Sequence, residues 1–303
     1  MTTRDIRIKG EQLRFLAHDD EAEQLITGTA TGETPTGWNF KVKGTALYWV
    51  DDDGAERYKE GTLTGGSRAF GSVIVHDEQL YFGDEDGNER YVQAITITTT
   101  TFYPSLDGWA GLSAVSLSWA DLRTTSGNAS ADGSSIAALT AFNSDTVNNK
   151  YALLHRSIFL FDTSAIPDTA TITQAIFSVK GYSKRNDAPL ANVKLNVYSS
   201  LPASDIAIVD ADNLTLGSTP FCNTDIAYAD FSIIGYNAFI LNTAGLAAIS
   251  KTGLTKLGLR EVTYDVGGAV PTWGSGDRTN MLGYYSERPG TSDDPKLVIT
   301  YET

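Results

Sequence analysis

Two stretches of the chain share eight of their twelve residues, and this internal repeat constrains the fold more than any other feature. The first copy is LYWVDDDGAERY, residues 47–58, and the second is LYFGDEDGNERY, residues 80–91. A weaker relative, LRFLAHDDEAEQL, occupies residues 13–25. The copies begin at leucines 13, 47 and 80. The even spacing of these starts, in strand-forming residues, predicts one β-hairpin per unit.

The acidic centre of each copy raises the alternative of a calcium-binding EF-hand loop. Such a loop needs oxygen ligands at its first, third and fifth positions, glycine at the sixth and glutamate at the last. If Gly54 is the sixth residue, the first is Trp49, which cannot ligate a cation. The second copy fails in the same way at Phe82, and its last position is Gln93. We therefore expect solvated hairpin tips rather than calcium loops.

The Asp-Gly pair at each tip is a strong turn signal, and two strand registers remain open. A two-residue turn places Trp49 opposite Tyr58, but it also sets two carboxylates face to face. A three-residue turn with the glycine in the left-handed conformation places Tyr48 opposite Tyr58 and Arg57 across from Trp49. This second register avoids the facing carboxylates. The sequence alone does not choose between them.

The threonine-rich stretch ITITTTTFYP, residues 95–104, separates two parts of the chain. Threonine favours extended backbone, and the residue before a proline does so too. The stretch therefore predicts a strand that continues into an extended connector, and we place the domain boundary near Thr101. Residues 1–101 are predicted to form a β-hairpin repeat region for attachment and oligomerisation. Isolated hairpins are marginally stable in water, so we expect a homo-oligomer, with a trimer as the specific prediction.

Residues 102–303 contain many strand-like segments and one short helical one, TAGLAAIS, at residues 243–250. The strand-like segments are HRSIFLFD (155–162), TITQAIFSVKGY (171–182), VKLNVYSS (193–200), TKLGLREV (255–262) and KLVITY (296–301). Many strands with few helices over such a length predict a β-sandwich or jelly roll. The predicted fold class is therefore all-β, with an N-terminal repeated β-hairpin region followed by a jelly-roll β-sandwich.

Charge and composition exclude several classes of function. The chain has 23 basic and 37 acidic residues, a formal net charge of −14, so a nucleic-acid backbone would be repelled. The single cysteine, Cys222, is expected to be a small buried residue rather than a nucleophile. The N-terminus has no signal-peptide pattern and no apolar run is long enough to span a membrane, so we expect synthesis in a host cytoplasm without membrane insertion.

Four segments in order resemble a known family of domains. They are RSIFLFDTSAIPDTATITQAIFSVKGY, YNAFILNTAGLAAISKTGLTKLGLR, PTWGSG and GYYSERPGTSDDPKLVITY, and the resemblance as a whole covers roughly residues 102–303. These segments resemble jelly-roll domains that are similar to carbohydrate-binding modules and occur in bacteriophage structural proteins and bacterial surface proteins. The acidic-tipped hairpins likewise resemble shaft and attachment regions of phage appendage proteins.

The resemblance implies a non-enzymatic structural protein displayed on the virion surface. It implies a tail fibre or appendage, or else a capsid decoration protein or head fibre. Its expected partners are other virion proteins and, through weak contacts of the jelly roll, a cell-surface glycan. The alternatives are a polysaccharide-degrading depolymerase, which would need two carboxylates in one groove, and a bacterial surface adhesin.

No catalytic motif stands out in the sequence. The three histidines, at positions 18, 76 and 155, lack metal-ligand spacing, and His155 is expected to be a packed or hydrogen-bonded residue. A glycan site would need exposed aromatic rings, and the candidates are Trp273, Tyr284, Tyr285 and Trp109. No metal site or cofactor is predicted. For a structural calcium ion in the jelly roll, residues 210–213 and 292–294 supply the acidic candidates.

Overall fold

The computed structural model describes residues 6–9, 12–16, 23–30, 40–50, 55–76, 79–187 and 190–303. The chain divides into two compact units, one formed by Met1–Ile97 with Glu302–Thr303 and the other by Thr98–Tyr301. Both units consist mainly of antiparallel strands. The all-β class is therefore confirmed, with small N-terminal sheets followed by one large curled sheet.

The first unit contains three small antiparallel sheets within its described residues. Its strands are β1 (Ile6–Lys9), β2 (Gln12–Leu16), β3 (Glu23–Thr27), β4 (Thr29–Ala30), β5 (Phe40–Lys43), β6 (Ala46–Val50), β7 (Glu56–Glu60), β8 (Thr62–Ser67), β9 (Val73–His76), β10 (Gln79–Gly83) and β11 (Asn88–Val92). The strand orders are β1-β2-β3, β4-β7-β6-β5 and β8-β11-β10-β9. The second and third sheets thus share one topology, and the sequence repeat corresponds to a repeated sheet whose central hairpin is the one predicted.

The hairpins adopt the register of the three-residue turn. Tyr48 pairs with Tyr58 and Trp49 with Arg57, and the second copy pairs its equivalent residues in the same way. In that copy Gly87 has φ of +79°, the left-handed conformation that glycine tolerates without strain. Its N–H donates to the carbonyl of Asp84 at 3.1 Å, which closes the turn. The tip of the first copy, residues 51–54, lies outside the described residues.

The leading leucine of every copy is buried in the core of the first unit. Leu13, Leu47 and Leu80 are all completely buried, and Trp49 and Phe82 lie in the same cluster. The remaining members are Ile26, Val42 and Val92. The regular spacing of the copies therefore brings equivalent apolar positions to one shared core, as stacked repeat units require.

The second unit has twelve further strands, two short α-helices, one 3-10 helix and one π-helix among its described residues. The strands are β12 (Ile97–Phe102), β13 (Pro104–Leu112), β14 (Ala129–Ala131), β15 (Ile136–Ser144), β16 (Tyr151–Asp162), β17 (Thr171–Asn186), β18 (Lys194–Ser199), β19 (Ile226–Ala227), β20 (Tyr236–Ile240), β21 (Leu254–Glu261), β22 (Arg278–Tyr284) and β23 (Lys296–Glu302). The helices are α1 (Trp119–Thr124), the 3-10 helix Asp210–Leu214, α2 (Thr243–Ala247) and the π-helix Val262–Val266.

These strands form a single large antiparallel sheet. Its order is β12-β23-β17-β22-β15-β16-β21-β18-β19, with β13 paired to β16, β14 to β13 and β20 to β17. The sheet curls strongly, so that one face encloses the core. The five strands and the helical segment predicted between residues 155 and 301 all coincide with β16, β17, β18, β21, β23 and α2.

The core of the second unit is rich in aromatic rings. Phe177 lies near Phe159 and Phe239, with ring centroids 5.0 and 6.0 Å away. Ala175, Phe177 and Val179 are completely buried, as the alternating pattern of that segment predicts. Cys222 is also buried, and burial raises the pKa of its thiol to about 12. The cysteine is therefore a buried thiol, as predicted.

A buried ion-pair cluster joins β16, β21 and the π-helix. Asp265 is completely buried and accepts hydrogen bonds from the guanidinium groups of both Arg156 and Arg260, over distances of 2.6 to 2.9 Å. Burial opposes ionisation of this carboxyl, but the two guanidinium groups outweigh it and hold its pKa below the ordinary range. The carboxylate of Glu261 caps the π-helix by accepting from three of its backbone N–H groups.

Candidate functional site

Tyr182 and Tyr284 form an aromatic pair at the surface of the second unit. Tyr182 is 46% exposed, and its ring lies edge-on to that of Tyr284 with centroids 5.5 Å apart. Alternation along β17 buries Val179 and Gly181 and turns Tyr182 outward. Alternation along β22 likewise buries Gly283 and leaves Tyr284 half-exposed. A register shift between these two strands occurs at Tyr182, where a β-bulge commonly re-aims a side chain.

Charged side chains surround the aromatic pair. The guanidinium carbon of Arg288 lies 4.4 Å from the centroid of the Tyr284 ring, and the amine of Lys180 lies 5.9 Å from it. Both distances are in the range of cation–π attraction. Asp293 forms ion pairs with both cations, and the hydrogen bond from Lys180 lowers the pKa of its carboxyl. Tyr182, Tyr284, Lys180, Arg288 and Asp293 are called the aromatic–cationic surface below.

The segment beside this surface is held by a third tyrosine. The hydroxyl of Tyr236 lies 3.0 Å from the backbone carbonyl oxygens of both Ser292 and Asp294, which share its single proton. The amine of Lys296 lies 4.1 Å from the Tyr236 ring centroid. These contacts hold the backbone on both sides of Asp293, and this positions its carboxylate for the two ion pairs.

An arrangement of this kind has the chemistry of a sugar-binding surface. Ring faces and edges of tyrosine offer flat apolar area for the C–H groups of a sugar, and tyrosine presents a polar hydroxyl as well. The guanidinium and ammonium groups donate hydrogen bonds, and the tyrosine hydroxyls both donate and accept them. Asp293 is itself buried, and its two oxygens pair with Lys180 and Arg288, so it holds these cations in place. Tyr182 is exposed, and Tyr284, Lys180 and Arg288 are half-exposed, an arrangement that suits weak binding of a polymer more than enclosure of a small molecule.

Two of the predicted glycan residues lie elsewhere. Trp273 precedes β22, at the end of the strand opposite to Tyr284. It is half-buried against the core, and its indole N–H donates to the carbonyl of Lys150 at 3.1 Å. Tyr285 is completely buried and stacks on Phe159, and its hydroxyl donates to the carbonyl of Ala138. Burial raises its pKa well above the ordinary value. Tyr285 therefore has no ring surface to offer a ligand.

Trp109 forms a separate aromatic contact on β13. Its ring stacks on the imidazole of His155, with centroids 3.8 Å apart and planes 19° from parallel. The Nε2 atom of His155 hydrogen-bonds to the hydroxyl of Ser113 at 2.7 Å. Burial lowers the pKa of His155 to about 4, so the imidazole is neutral near pH 7. His155 is thus a packed, hydrogen-bonded residue, as predicted, and it covers one face of Trp109.

Four members of the aromatic–cationic surface were absent from the predicted candidates. They are Tyr182, Lys180, Arg288 and Asp293. The alternation of buried residues along residues 175–179 already placed Lys180 and Tyr182 on the outer face of that strand, so the sequence held a signal for two of them. The ion pair between Asp293 and Lys180 joins residues more than a hundred positions apart and had no such signal.

Of the two segments proposed for calcium, residues 292–294 contain the ion-paired Asp293 and also Asp294, whose Oδ1 is buried without a partner among the described residues. Residues 210–213 use their carboxylate oxygens internally. The carboxylate of Asp212 accepts from the backbone N–H groups of Ala203 and Val209, at 2.9 and 2.8 Å. Asp210 accepts from the hydroxyl of Ser130. In the part of the chain that the structure describes, no three His, Cys, Asp or Glu side chains are arranged to hold a metal ion. Within the same residues, no helix has both the length and the apolar character needed to cross a membrane.

Asp107 is a buried carboxyl group whose surroundings favour the protonated form. It is completely buried on β13, and burial raises its pKa to about 7. Its oxygens accept from the backbone N–H and the hydroxyl of Ser286. A general acid for glycoside cleavage needs such a raised pKa but must also reach the substrate. Because the Asp107 side chain is enclosed, its contacts in this structure are those of a buried structural residue.

No protein-family model matches the chain, and no curated protein sequence matches it. The resemblance to carbohydrate-binding-module-like jelly rolls thus stands on the quoted sequence segments. The structure supports the coarser statement, a largely β protein with a strongly curled antiparallel sheet.

Proposed function

We propose that this chain is a non-enzymatic structural protein on the surface of a bacteriophage particle. The first unit serves attachment and oligomerisation, and the second faces outward and binds glycan weakly. The observation that carries the proposal is the aromatic–cationic surface, in which the exposed Tyr182 and the half-exposed Tyr284 are combined with the hydrogen-bond donors Lys180 and Arg288.

Repetition supports the attachment role of the first unit. Two sheets of identical topology follow each other along the chain, and equivalent residues of both enter one core. Modules of this kind add length and surface without requiring a new fold, as fibre and decoration proteins need. The sequence segments quoted above support the placement on a phage, whether on the tail or on the capsid.

Copy number makes weak glycan binding effective. A shallow surface that holds one sugar poorly still retains a particle when many copies bind one polymer at once. Binding should therefore be measured with the protein displayed on beads or particles. The expected ligand is a host polysaccharide, and the expected single-site affinity is in the weak range, about millimolar.

Glycan arrays probed with bead-displayed protein test the binding role. Tyr182→Ala is expected to lower retention on any positive glycan at least about tenfold, which corresponds to about 1.4 kcal/mol. Phe70→Ala is the matched control, because Phe70 is 59% exposed on the first unit. Equal losses from both variants, or no retained glycan, would overturn the role of this surface. Release of reducing sugar during incubation would instead establish the depolymerase alternative.

Antibody-gold electron microscopy tests the placement on the particle. Serum against residues 102–303 should label intact phage particles from the culture that produces the protein. Label at the tail end would support a host-recognition fibre, and label over the capsid would support a decoration protein or head fibre. Unlabelled particles beside labelled host cells would overturn the virion assignment and favour an adhesin.

A further inference from the structure

Strand β20 has one hydrogen-bonded edge and one open edge. Phe239 pairs with Phe177 of β17, and the N–H of Leu241 donates to the carbonyl of Ala175 at 3.0 Å. In an antiparallel strand the backbone groups of successive residues point to opposite edges. Since residues 237, 239 and 241 bond to β17, the N–H and C=O groups of Ala238 and Ile240 point away from it. Within the described part of the chain, no other strand pairs with β20 along this outer edge, and only the bridge described next reaches its end.

The chain itself begins to cover this edge and then leaves it. The N–H of Asn242 donates to the carbonyl of Phe221 at 2.7 Å, and Cys222 forms an antiparallel bridge with Leu241. Beyond this bridge, residues 223–226 diverge from β20 toward β18, with which β19 pairs. One end of the β20 edge is therefore already paired in strand fashion, and the remainder is not.

A cavity of about 420 Å³ lies where the two segments part. Thr224 and Ile226 line one wall, and Ala238 and Ile240 line the other. Ile240 is 63% exposed, so most of its side chain is available for contact. The cavity thus combines unpaired backbone donors and acceptors with apolar side chains, the two features by which a sheet edge accepts an added strand.

The charge of the lining restricts the occupant. All the side chains that line the cavity are uncharged, although the chain carries a net charge of −14. A charged segment would find no ion pair there and would lose hydration on entering. The wall formed by residues 223–226 also disfavours a second β20, whose own opposite edge is occupied by β17. A single extended strand meets neither obstacle.

We infer that the open edge of β20 is a docking site for one extended, uncharged polypeptide segment of a partner protein, which adds to the sheet as a strand. Main-chain bonds to Ala238 and Ile240 would provide the affinity, and the apolar cavity would select alternate side chains of the segment. This inference is independent of glycan binding, because the edge and the aromatic–cationic surface share no residue.

Fluorescence polarisation with a fluorescein-labelled heptapeptide of alternating threonine and valine tests the inference. The peptide is expected to bind the full-length protein, and the same peptide N-methylated at its three central residues is expected not to bind, because both of its edges are blocked. Ile240→Lys should abolish binding, since an edge lysine blocks strand addition. Ile234→Lys is the matched control, because Ile234 is 88% exposed and does not line the cavity.

Three results would contradict the docking of a partner strand at this edge. Absence of binding by the unmethylated peptide up to millimolar concentration would overturn the docking site. Equal binding by the methylated peptide would show adsorption to apolar surface rather than strand addition. Light scattering of the wild-type protein and both variants tests whether a second copy of this chain occupies the edge instead. Self-association that Ile240→Lys removes and Ile234→Lys retains would assign the edge to a second copy of this chain and overturn the assignment to a separate segment.

Discussion

Gly28 lies directly against the indole ring of Trp49. A β-carbon on Gly28 would fall 2.6 Å from the ring atom Cη2, closer than real side-chain contacts allow. The second repeat reproduces the arrangement, since a β-carbon on Gly61 would fall 2.5 Å from Cε1 of Phe82. In both copies the ring fills space that only a glycine leaves, so the pairing of glycine and aromatic residue belongs to the repeat itself.

Substitution of these glycines should destabilise the first unit. Gly28→Ala and Gly61→Ala force the ring or the strand to move, and overpacking of this kind costs about 1–3 kcal/mol. Thermal or denaturant unfolding followed by circular dichroism measures the loss. Gly133→Ala is the control, because a β-carbon there would meet nothing within 4 Å. Unchanged unfolding of both glycine variants would show that the rings move aside freely.

Replacement of Trp49 by the residue of the second repeat should be tolerated. Trp49 is 1% exposed, and its indole N–H has no acceptor among the described residues. Trp49→Phe loses apolar area but also removes a buried unpaired donor, whose burial costs about 1–3 kcal/mol. The two effects oppose, and we expect a net change within about 1 kcal/mol of zero in denaturant unfolding.

Phe82→Leu is the comparison for that substitution. It removes a ring without removing any polar group, and we expect a loss of about 1–2 kcal/mol in denaturant unfolding. If Trp49→Phe lost as much stability as Phe82→Leu, the indole N–H would have an acceptor, and its removal would bring no relief.

The sequence predicted the hairpins of the first unit but left their register open. Both registers gave an aromatic cross-strand pair, so local pairing could not separate them. The structure places Trp49 and Arg57 opposite each other, where the missing side chain of Gly28 makes room for both. This contact involves Gly28, which directly follows β3 and lies well upstream of the hairpin. The residues of the turn carry no information about it.

The candidate site shows the same division between local and distant information. Tyr284 and Tyr285 are adjacent, so alternation along a strand allows only one of them to face outward. The sequence does not show which of the two alternating sets of side chains faces the core, because Met281 and Leu282 are both apolar. The structure buries Met281 and with it Tyr285, which leaves Tyr284 at the surface. Partners from other strands decided this, as they decided the stacking of Trp109 on His155.

Loss of the Asp265 carboxylate should destabilise the second unit severely. Asp265→Asn keeps the size of the side chain but leaves two buried guanidinium groups without a counter-charge, which costs about 3–5 kcal/mol. Chemical unfolding monitored by near-ultraviolet circular dichroism measures the loss. Asp187→Asn is the matched control, because Asp187 pairs with Arg185 at the surface, where an ion pair contributes little. Equal losses of stability from the two substitutions would show that the buried ion-pair cluster contributes no more than a surface ion pair.

Asp107 should make the second unit less stable as the pH rises from about 4 to 7. Burial raises the pKa of this carboxyl to about 7 in the folded protein, whereas the unfolded chain releases the proton near the ordinary value of 3.8. Between these values the folded state holds a proton that the unfolded state has lost, so folding is favoured at the acid side of the window. One proton contributes a slope of at most about 1.4 kcal/mol per pH unit.

Asp107→Asn isolates this contribution, because asparagine resembles the protonated carboxyl and cannot titrate. The variant is expected to lose less stability than the wild type between pH 4.5 and 7.5 in parallel denaturant titrations, and the difference should grow steadily across the window. Carboxyl groups remote from Asp107 titrate alike in both proteins and cancel in the comparison, and the repulsion of Asp107 by Glu287 and Asp294 is removed together with its charge. Identical pH profiles would mean that the Asp107 carboxyl is ionised throughout, which requires the Ser286 hydrogen bonds to offset its burial completely.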